Sequence, residues 1–267
     1  MDKNFYRPDY LYQYTTIESL ALILKTRSMK FNSLAFVDDL EEIKGRDIDI
    51  AGKLVFTSCW TDNREENIAL WNMYAEKMKG IRIGLPTYPF EESDGFINEQ
   101  ANKDDLVLIR YGTEEIVLPD NICTWRDTKM FNYYQLRKIT YTDNENKLFP
   151  QLIKRNNTDS ISLNNLDLGI YKRKCWEFQQ EWRYLVYLGI KRHENDDEKK
   201  IRLRMAKKRI PGSLFAKIEQ KKFEKMMVLL GPGTNESDRI LVDALKEKYN
   251  PTMKIEKSVF TGKIISK

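Results

Sequence analysis

The segment Lys53–Trp60 (KLVFTSCW) constrains the fold most, because its apolar residues are adjacent instead of alternating with polar ones. A strand with this pattern is typically buried on both faces, so it lies inside a sheet that is covered on both sides. Further strands are predicted at Leu11–Thr15, Met29–Leu34, Ile81–Leu85 and Trp182–Leu188. Because the strands do not alternate strictly with helices, an α+β fold is favoured over a doubly wound parallel sheet.

The first predicted helices begin and end at recognisable residues. Thr16 is a suitable N-cap for the apolar stripe that follows it. The pattern also predicts a helix over Glu65–Lys79, with Gly80 as the C′ glycine that ends it. Trp71 and Tyr74 lie three residues apart on this helix and therefore share a face. Such a pair is more often part of a core than a platform for a ligand.

The rest of the chain is predicted to belong to the same domain of residues 1–267. The stretch from about 86 to 150 alternates strand signals with turns and is interpreted as a β-rich insertion. Helices are predicted over Asn157–Gln179 and Ser237–Tyr249, and the IRLRM segment alternates like an edge strand. Apolar segments EKMMVLL and MKIEKSVF predict the last two strands.

The chain has a single histidine, His193, in a hydrophilic stretch typical of an exposed turn. Ser-His-Asp and Cys-His catalysis need a histidine in a cleft, and zinc hydrolases generally need more than one, so these classes are disfavoured and no metal site is predicted. The three cysteines, Cys59, Cys123 and Cys175, are widely separated and match neither a metal nor a disulfide pattern. With no signal-peptide core and no long apolar run, a cytoplasmic protein without a membrane span is predicted.

Two basic or glycine-rich segments could contact phosphate. The formal net charge of +5 is modest for 267 residues, and basic residues cluster over Lys199–Arg209. A nucleic-acid contact there is the alternative to a solvated edge strand guarded by lysine. GPGTN at 231–235 lies between a strand and a helix, but it lacks the dinucleotide fingerprint and the P-loop lysine, so a plain turn is favoured.

The segment WEFQQEWRYLVY carries the most chemistry. Gln179 and Glu181 lie two residues apart where a strand begins, so both can point to the same side. A carboxylate at the mouth of a central strand can present its charge to a cleft. The alternative is an ordinary surface ion pair between Glu181 and Arg183.

The first strand, LYQYTT, combines aromatic and polar residues. Alternation places Tyr12 and Tyr14 on one face and Gln13 and Thr15 on the other. A core strand with polar residues turned outward is the alternative to a binding surface.

Three stretches resemble a large bacterial family, the DUF2971-type proteins: LYQYTTIESLALILKTRSMKFNSLAFVDDLEE, FTSCWTDNREENIALWNMYAEKMKGIRIGL and YKRKCWEFQQEWRYLV. Their order and spacing are similar to those of the family from Leu11 to Gly231. The family's opening motif is in turn similar to the first motif of the ADP-ribosyltransferase superfamily. That resemblance implies a split mixed or antiparallel β-sheet core with flanking helices, and NAD as the substrate.

The resemblance also implies roles for particular residues. Gln13 and Thr15 correspond to the first motif, Ser58 or Tyr74 to the second, and Gln179 with Glu181 to the third. The predicted catalytic residues are Glu181 and Gln179. The predicted NAD-binding residues are Tyr12, Gln13, Tyr14, Thr15, Ser58, Trp71, Tyr74 and Arg183.

The implied chemistry requires no histidine. Loss of nicotinamide builds an oxocarbenium-like cation on the ribose, as in glycoside hydrolysis, and a fixed carboxylate at Glu181 would stabilise that cation. The predicted activity is therefore an ADP-ribosyltransferase or NAD glycohydrolase, and the resemblance extends to toxins and phage-defence effectors. Its macromolecular acceptor, protein or nucleic acid, is left open, as is assembly into a homo-oligomer.

Two departures from the family keep other functions open. Gln13 replaces the family's histidine, and Val37-Asp38-Asp39 replaces its Asn-Asp-Pro turn. Glutamine can hydrogen-bond a ribose hydroxyl but cannot carry charge. The alternatives are a non-catalytic nucleotide-binding or sensor module and a nucleic-acid-associated protein.

Overall fold

The computed structural model describes residues 7–91, 107–111, 114–118, 122–124, 135–155, 161–163, 165–190, 197, 199–200, 203 and 212–264. They form an α+β structure on a large sheet that contains both antiparallel and parallel strand pairs, which confirms the predicted α+β class.

The strands are β1 Tyr10–Thr15, β2 Ser28–Ser33, β3 Val55–Thr61, β4 Ile81–Pro86, β5 Val107–Tyr111, β6 Glu114–Leu118, β7 Ile122–Thr124, β8 Gln135–Lys138, β9 Thr140–Tyr141, β10 Ile153–Arg155, β11 Ile161–Leu163, β12 Tyr171–Lys172, β13 Glu181–Ile190, β14 Ser213–Lys217, β15 Met227–Leu230 and β16 Lys254–Lys257. The α-helices are α1 Ile17–Thr26, α2 Ile68–Tyr74, α3 Glu145–Leu148, α4 Gln220–Phe223 and α5 Glu236–Tyr249. Short 3₁₀ turns cover Leu34–Phe36, Ala51–Leu54 and Lys174–Gln179.

The main sheet follows the order β14-β2-β3-β1-β4-β15-β16, and β13 also pairs with β3, β7 and β8. Strand β3 is central, as predicted, because six of its seven residues are buried and only Cys59 is partly exposed. It pairs along its whole length with β13, from Thr61 opposite Glu181 to Val55 opposite Tyr187. This pairing fixes the start of β13 beside the end of β3.

The other edge of β3 is shared by two strands that separate from each other. Strand β2 pairs with Phe56 and Thr57, whereas β1 pairs only at Thr61, opposite Tyr12. Backbone pairing on this edge is therefore interrupted from Ser58 to Trp60. The sheet splits at this point, and the gap lies across β3 from the first residues of β13.

Helix α1 connects the two separating strands. The Thr16 side chain accepts a hydrogen bond from the backbone N–H of Ser19 at 3.1 Å, which confirms the predicted N-cap. Leu20, Ile23 and Leu24 form its buried stripe, which packs into the main core.

Helix α2 is shorter than the predicted Glu65–Lys79. The Asn67 side chain caps it by accepting hydrogen bonds from Ala69 and Leu70 at 2.9 and 3.3 Å, so the preceding residues belong to a loop. The helix ends at Tyr74. After Ala75, three consecutive residues, Glu76, Lys77 and Met78, adopt left-handed backbone angles.

Gly80 is consequently not the C′ residue of that helix, and the prediction of its role was wrong. A Cβ atom at Gly80 would lie 2.3 Å from the carbonyl oxygen of Thr15. Glycine is needed here for close approach of two backbone segments, not for helix termination.

The helix predicted over Asn157–Gln179 was also wrong. In its described part, β11 pairs with β10, a turn follows, and only Lys174–Gln179 is helical, as a 3₁₀ turn. Gly169 has a positive φ of 76°, which breaks the helical spacing of the apolar residues. Leu168 is nevertheless buried, so the apolar residues reach the core from a turn.

Several predictions fall largely outside the described residues, including His193 and most of the β-rich stretch. In the basic segment Lys199–Arg209, the described residues Lys199, Lys200 and Leu203 are helical, so the strand predicted there was wrong at these positions. Among the described helices, none is both long and apolar enough to cross a membrane.

Candidate functional site

The gap in the sheet forms a cavity of about 430 Å³, a volume typical of small-molecule sites. Strand β1 lies on one side, β2 on the other, and the open edge of β3 forms part of the floor. The lining residues are Tyr12, Gln13, Tyr14, Lys30, Asn32, Phe36, Val37, Asp38, Thr57, Ser58, Cys59, Trp60, Thr61, Leu70, Tyr74, Lys172, Gln179, Glu181 and Arg183. We call this cavity the cleft.

The side chain of Gln13 bridges the split. Its Nε2 donates to the carbonyl oxygen of Cys59 at 2.9 Å, on the edge where β3 lacks a backbone partner. The amide thus supplies a donor to a carbonyl that strand pairing leaves without one. Gln13 therefore has a structural task in addition to facing the cleft.

Gln179 and Glu181 both line the cleft, because the backbone conformation of Gln180 between them turns both side chains toward it. Gln179 ends the 3₁₀ turn, Glu181 begins β13, and Gln180 adopts a left-handed conformation with φ of 44°. The backbone N–H of Glu181 donates to the hydroxyl of Tyr141 at 2.8 Å. The position of the Glu181 carboxylate is therefore fixed by its strand and by a hydrogen bond to its backbone.

The Glu181 carboxylate is buried and paired with two cations. Arg183 binds it in a bidentate manner, with Nε to Oε1 at 2.6 Å and Nη2 to Oε2 at 2.9 Å. The Nζ atom of Lys172 lies 3.5 Å from Oε2. The ion pair that was the alternative to a cleft carboxylate therefore exists, but it lies inside the cleft instead of on the surface.

Two further carboxylates complete this cluster. Glu42 is paired with both cations. Its Oε1 accepts from Nη2 of Arg183 at 3.0 Å and lies 3.5 Å from the Nζ of Lys172. Asp38 lies 3.3 Å from the same Nζ atom. Three carboxylates thus surround two cations, and the cluster of Asp38, Glu42, Glu181, Lys172 and Arg183 has one excess negative charge.

The cluster lowers the pKa values of Glu181 and Asp38. Burial by itself would raise the pKa of Glu181, but the charges of Arg183 and Lys172 outweigh burial and lower it. At Asp38, burial is likewise outweighed, by the hydrogen bond from Tyr74 and the charge of Lys172, so that pKa is also lowered. Both acids are ionised at neutral pH.

A chain of hydrogen bonds joins Gln179 to the other side of the cleft. Its Nε2 donates to the Tyr74 hydroxyl at 2.7 Å, and its Oε1 accepts from Lys172 Nζ at 2.8 Å. The Tyr74 hydroxyl in turn donates to Asp38. Burial, followed by the hydrogen bond to Asp38, raises the pKa of Tyr74, so its phenol stays protonated and acts as a donor.

Cys59 presents a thiol to the same cleft. Burial, followed by the nearby charge of Glu181, raises the pKa of this thiol above its usual range. A protonated thiol is a poor nucleophile, so the surroundings do not activate Cys59 for covalent catalysis.

Eight of the ten predicted site residues meet in this cleft. They are Tyr12, Gln13, Tyr14, Ser58, Tyr74, Gln179, Glu181 and Arg183. Thr15 and Trp71 are not among the lining residues. Trp71 is fully buried, packs edge-to-face against Tyr14 with ring centroids 4.8 Å apart, and donates from Nε1 to Glu66 at 2.8 Å, so the core alternative holds for it.

The faces of β1 follow the prediction, since the rings of Tyr12 and Tyr14 both approach the guanidinium of Arg82, at 4.7 and 5.7 Å. Lys172, Glu42 and Asp38 were not predicted as site residues. They come from distant parts of the chain, and a solvated lysine or glutamate looks identical in sequence to a buried, paired one. Lys172 does lie in the YKRKCWEFQQEWRYLV stretch, which is the only signal that could have indicated it.

A metal site finds no support in the described part of the chain, where no group of three or more His, Cys, Asp and Glu side chains could hold an ion. The cleft instead offers charged groups that are already paired, together with neutral donors and aromatic rings. These groups suit a polar organic ligand with a ring and hydroxyl groups.

No protein-family description matches this chain, and neither the curated proteins nor the solved structures yield a match.

Proposed function

We propose that the cleft binds a nucleotide of the NAD type and cleaves its nicotinamide–ribose bond, as an ADP-ribosyltransferase or NAD glycohydrolase does. The observation that carries the proposal is the meeting of Gln13, Tyr74, Gln179 and Glu181 in one cavity at a split in the sheet. These residues are spread over 169 positions of the sequence and converge on the cavity from separate elements. The likeness to the DUF2971-type family and to the ADP-ribosyltransferase fold is part of the same proposal.

The ionised carboxylate of Glu181 supports a step that forms a cation. It lines the cleft and belongs to the largely buried cluster of Asp38, Glu42, Glu181, Lys172 and Arg183, in which acids outnumber bases by one, while the exposed Lys30 adds a positive charge to the lining. When nicotinamide leaves, positive charge develops on the ribose. The fixed carboxylate of Glu181 stabilises that transition state more than the ground state, because the intact nucleotide has less positive charge at the ribose.

Gln179 acts in this proposal as a positioning residue. Its amide already holds Tyr74 and Lys172, and the described residues leave one N–H and one acceptor lone pair for a ribose hydroxyl or a nucleophile. Tyr74 and Lys172 in turn set the orientation of the amide.

The test compares the wild-type protein with Glu181→Gln, which keeps the shape of the side chain and removes its charge. Nicotinamide release from NAD is followed with water, a protein extract, DNA or RNA as acceptor. We expect release by the wild type and a loss of roughly 100-fold or more in Glu181→Gln, the scale of lost electrostatic stabilisation. Glu247→Gln on the exposed face of α5 is the matched control and should keep full activity.

Thermal unfolding of each variant shows whether the fold survives. Folded wild-type protein that releases no nicotinamide with any of the four acceptors would contradict the catalytic proposal. Full activity in Glu181→Gln would contradict the role of the carboxylate.

Nucleotide binding without turnover is the second candidate, and one observation favours it. Both oxygens of Glu181 are engaged by Arg183, so the carboxylate is less available to a ligand than a free one. Calorimetric titration with NAD and with ADP-ribose separates the two candidates, because a sensor gives saturable heat without product. A cytoplasmic location, a homo-oligomeric state and a toxin or phage-defence role stay predictions.

A further inference from the structure

A second cavity, of about 800 Å³, lies beside the cleft and shares Tyr12 with it. Its floor is the face of the sheet that carries Tyr12 on β1, Arg82 and Gly84 on β4, and Met227 and Leu229 on β15. Residues that follow β3 and β16 line its other side. We call it the Arg82 cavity.

The guanidinium of Arg82 is buried without a carboxylate partner. The residue is 8% exposed, and it forms no ion pair with any residue that the structure describes. Its Nη1 donates to the carbonyl oxygens of Arg64 and Glu65 at 3.0 and 3.3 Å. Its Nε atom is buried and has no hydrogen-bond partner in the described structure.

The unused donors lie on one edge of the guanidinium. In the described part of the chain the protein engages Nη1 alone, which leaves Nε and Nη2. This edge presents two parallel N–H groups and matches the two oxygens of a phosphate or carboxylate. The rings of Tyr12 and Tyr14 offset part of the charge by cation–π contact, but they do not satisfy N–H donors in that plane.

A buried cation without an anion is energetically costly, and a buried N–H without an acceptor adds to that cost. Acidic residues that line the Arg82 cavity do not remove this cost. The carboxylate of Glu66 already accepts from Trp71, Ser258 and the backbone of Val259. Asp62 pairs with Lys138 at 3.4 Å.

The remaining lining charges are exposed: Asp9, Arg64, Glu65, Glu256 and Lys257. Solvent and salt screen such groups, so they contribute less to the electrostatic potential at the floor of the cavity than a buried charge does. Arg82 is the most buried cation of this lining, and the partly buried Glu66 is held by neutral donors instead of by Arg82.

We propose that the Arg82 cavity is a binding site for a phosphate-bearing small molecule, whose oxyanion is held by the Nε–Nη2 edge of Arg82. The volume of the cavity accommodates more than a single small anion, and the two N–H groups of this edge match two oxygens of a phosphate. The site goes beyond the proposed function, since neither nicotinamide loss nor the charge of Glu181 is required for it.

The experiment is calorimetric titration of the full-length protein with inorganic pyrophosphate at low ionic strength. We expect saturable binding by the wild type with one site per chain. Arg82→Met keeps the side-chain stem against Tyr12 and should weaken binding at least tenfold. Arg82→Lys keeps the charge without the two-donor edge and should also weaken binding at least tenfold. Arg239→Met, at a half-exposed arginine on α5, is the matched control and should bind as the wild type does.

Arg82→Lys decides the matter if Arg82→Met does not fold, because lysine can still donate to the carbonyls of Arg64 and Glu65. Hydrogen exchange of the wild type gives a second readout, with protection expected in β4 and in the loop after β3 when pyrophosphate is present. Absence of saturable binding by folded wild-type protein would overturn the proposal, as would wild-type affinity in Arg82→Lys. Pyrophosphate binding at least tenfold tighter in Glu181→Gln than in the wild type would place the anion beside Arg183 and Lys172 in the cleft, because those cations would have lost a carboxylate, and it would overturn the proposal too.

Discussion

Two buried arginines of the same sheet differ in what surrounds their guanidinium groups. Arg183 on β13 is 1% exposed and is held by Glu181, Glu42 and the carbonyl oxygen of Gly169. Arg82 on β4 is almost as deeply buried, but it contacts carbonyl oxygens and tyrosine rings and pairs with no carboxylate in the described part of the chain.

The comparison distinguishes a guanidinium that is neutralised by carboxylates of the protein from one that is available to an anionic ligand. Arg183 is neutralised by its own chain and holds Glu181 in place, so its contribution is to stability and to the shape of the cleft. The charge of Arg82 is not paired with a carboxylate of the described residues, so an anionic ligand would lower the free-energy cost of burying it.

The largest effect is expected for Arg183→Met, with a loss of about 3–5 kcal/mol in the free energy of unfolding, because Glu181 and Glu42 would lose their bidentate partner inside the protein. Urea unfolding followed by circular dichroism measures it. Arg239→Met is the control, since its partner Asp243 is on the surface, and it should change stability by less than about 0.5 kcal/mol. A loss below about 1 kcal/mol in Arg183→Met would mean that the cluster does not stabilise the fold.

Acidification should weaken the Arg183 cluster and leave Arg82 unaffected. The pKa values of Glu181 and Asp38 are lower in the folded protein than their ordinary values of 4.5 and 3.8. Their contribution to stability is therefore present above those ordinary values and is lost as the pH falls through the lower folded values.

Unfolding midpoints in urea between about pH 7 and pH 3 test this sign. Wild-type stability should fall at the acid end, and Glu181→Gln should show a shallower fall because one titrating group is missing. Arg82→Met should follow the wild-type slope, since no carboxylate that the structure describes pairs with Arg82. An equal slope in Glu181→Gln would show that Glu181 is not the group responsible.

A smaller loss in the free energy of unfolding, about 1 kcal/mol, is expected for Arg82→Met. The carbonyl oxygens of Arg64 and Glu65 lose a donor, which destabilises the protein, while removal of an unpaired buried charge offsets part of that loss. The same urea experiment measures it. If Arg82→Met costs as much as Arg183→Met, Arg82 has a structural role as large as that of Arg183, and the contrast between them disappears.

The smallest effect, about 0.5–1 kcal/mol, is expected for the contact between Tyr12 and Arg82. Tyr12→Leu removes the ring that lies 4.7 Å from the guanidinium. A double-mutant cycle with Arg82→Met isolates the contact from the lost packing of the ring. Additive effects of the two substitutions would show that no such coupling exists.

The sequence was a good guide to single strands and a poor one to the long helix after residue 156. The apolar segment of β3 and the cap at Thr16 act locally, so their structure could be predicted from neighbouring residues. The spacing of apolar residues around Leu168 suits a helix equally well, but the positive φ of Gly169 and the pairing of β10 with β11 prevent one. Pairing partners are distant in sequence, and periodicity contains no information about them.

The candidate site shows the same limit. Gln179 and Glu181 could be predicted to share a side because only one residue separates them. Lys172 could not be singled out, because its burial depends on Asp38 and Glu42, more than 100 positions away.

By itself, the sequence determined the α+β class, the central strand and the pair of polar residues at the start of β13, since each follows from local pattern. Tertiary structure alone decided that β1 and β2 separate on the edge of β3, that Glu181 is paired and buried in the resulting cleft, and that none of the described acids pairs with Arg82. The physical reason is that ionisation, burial and pairing of a charged side chain depend on groups brought near it by folding, and these groups are contributed by remote parts of the chain.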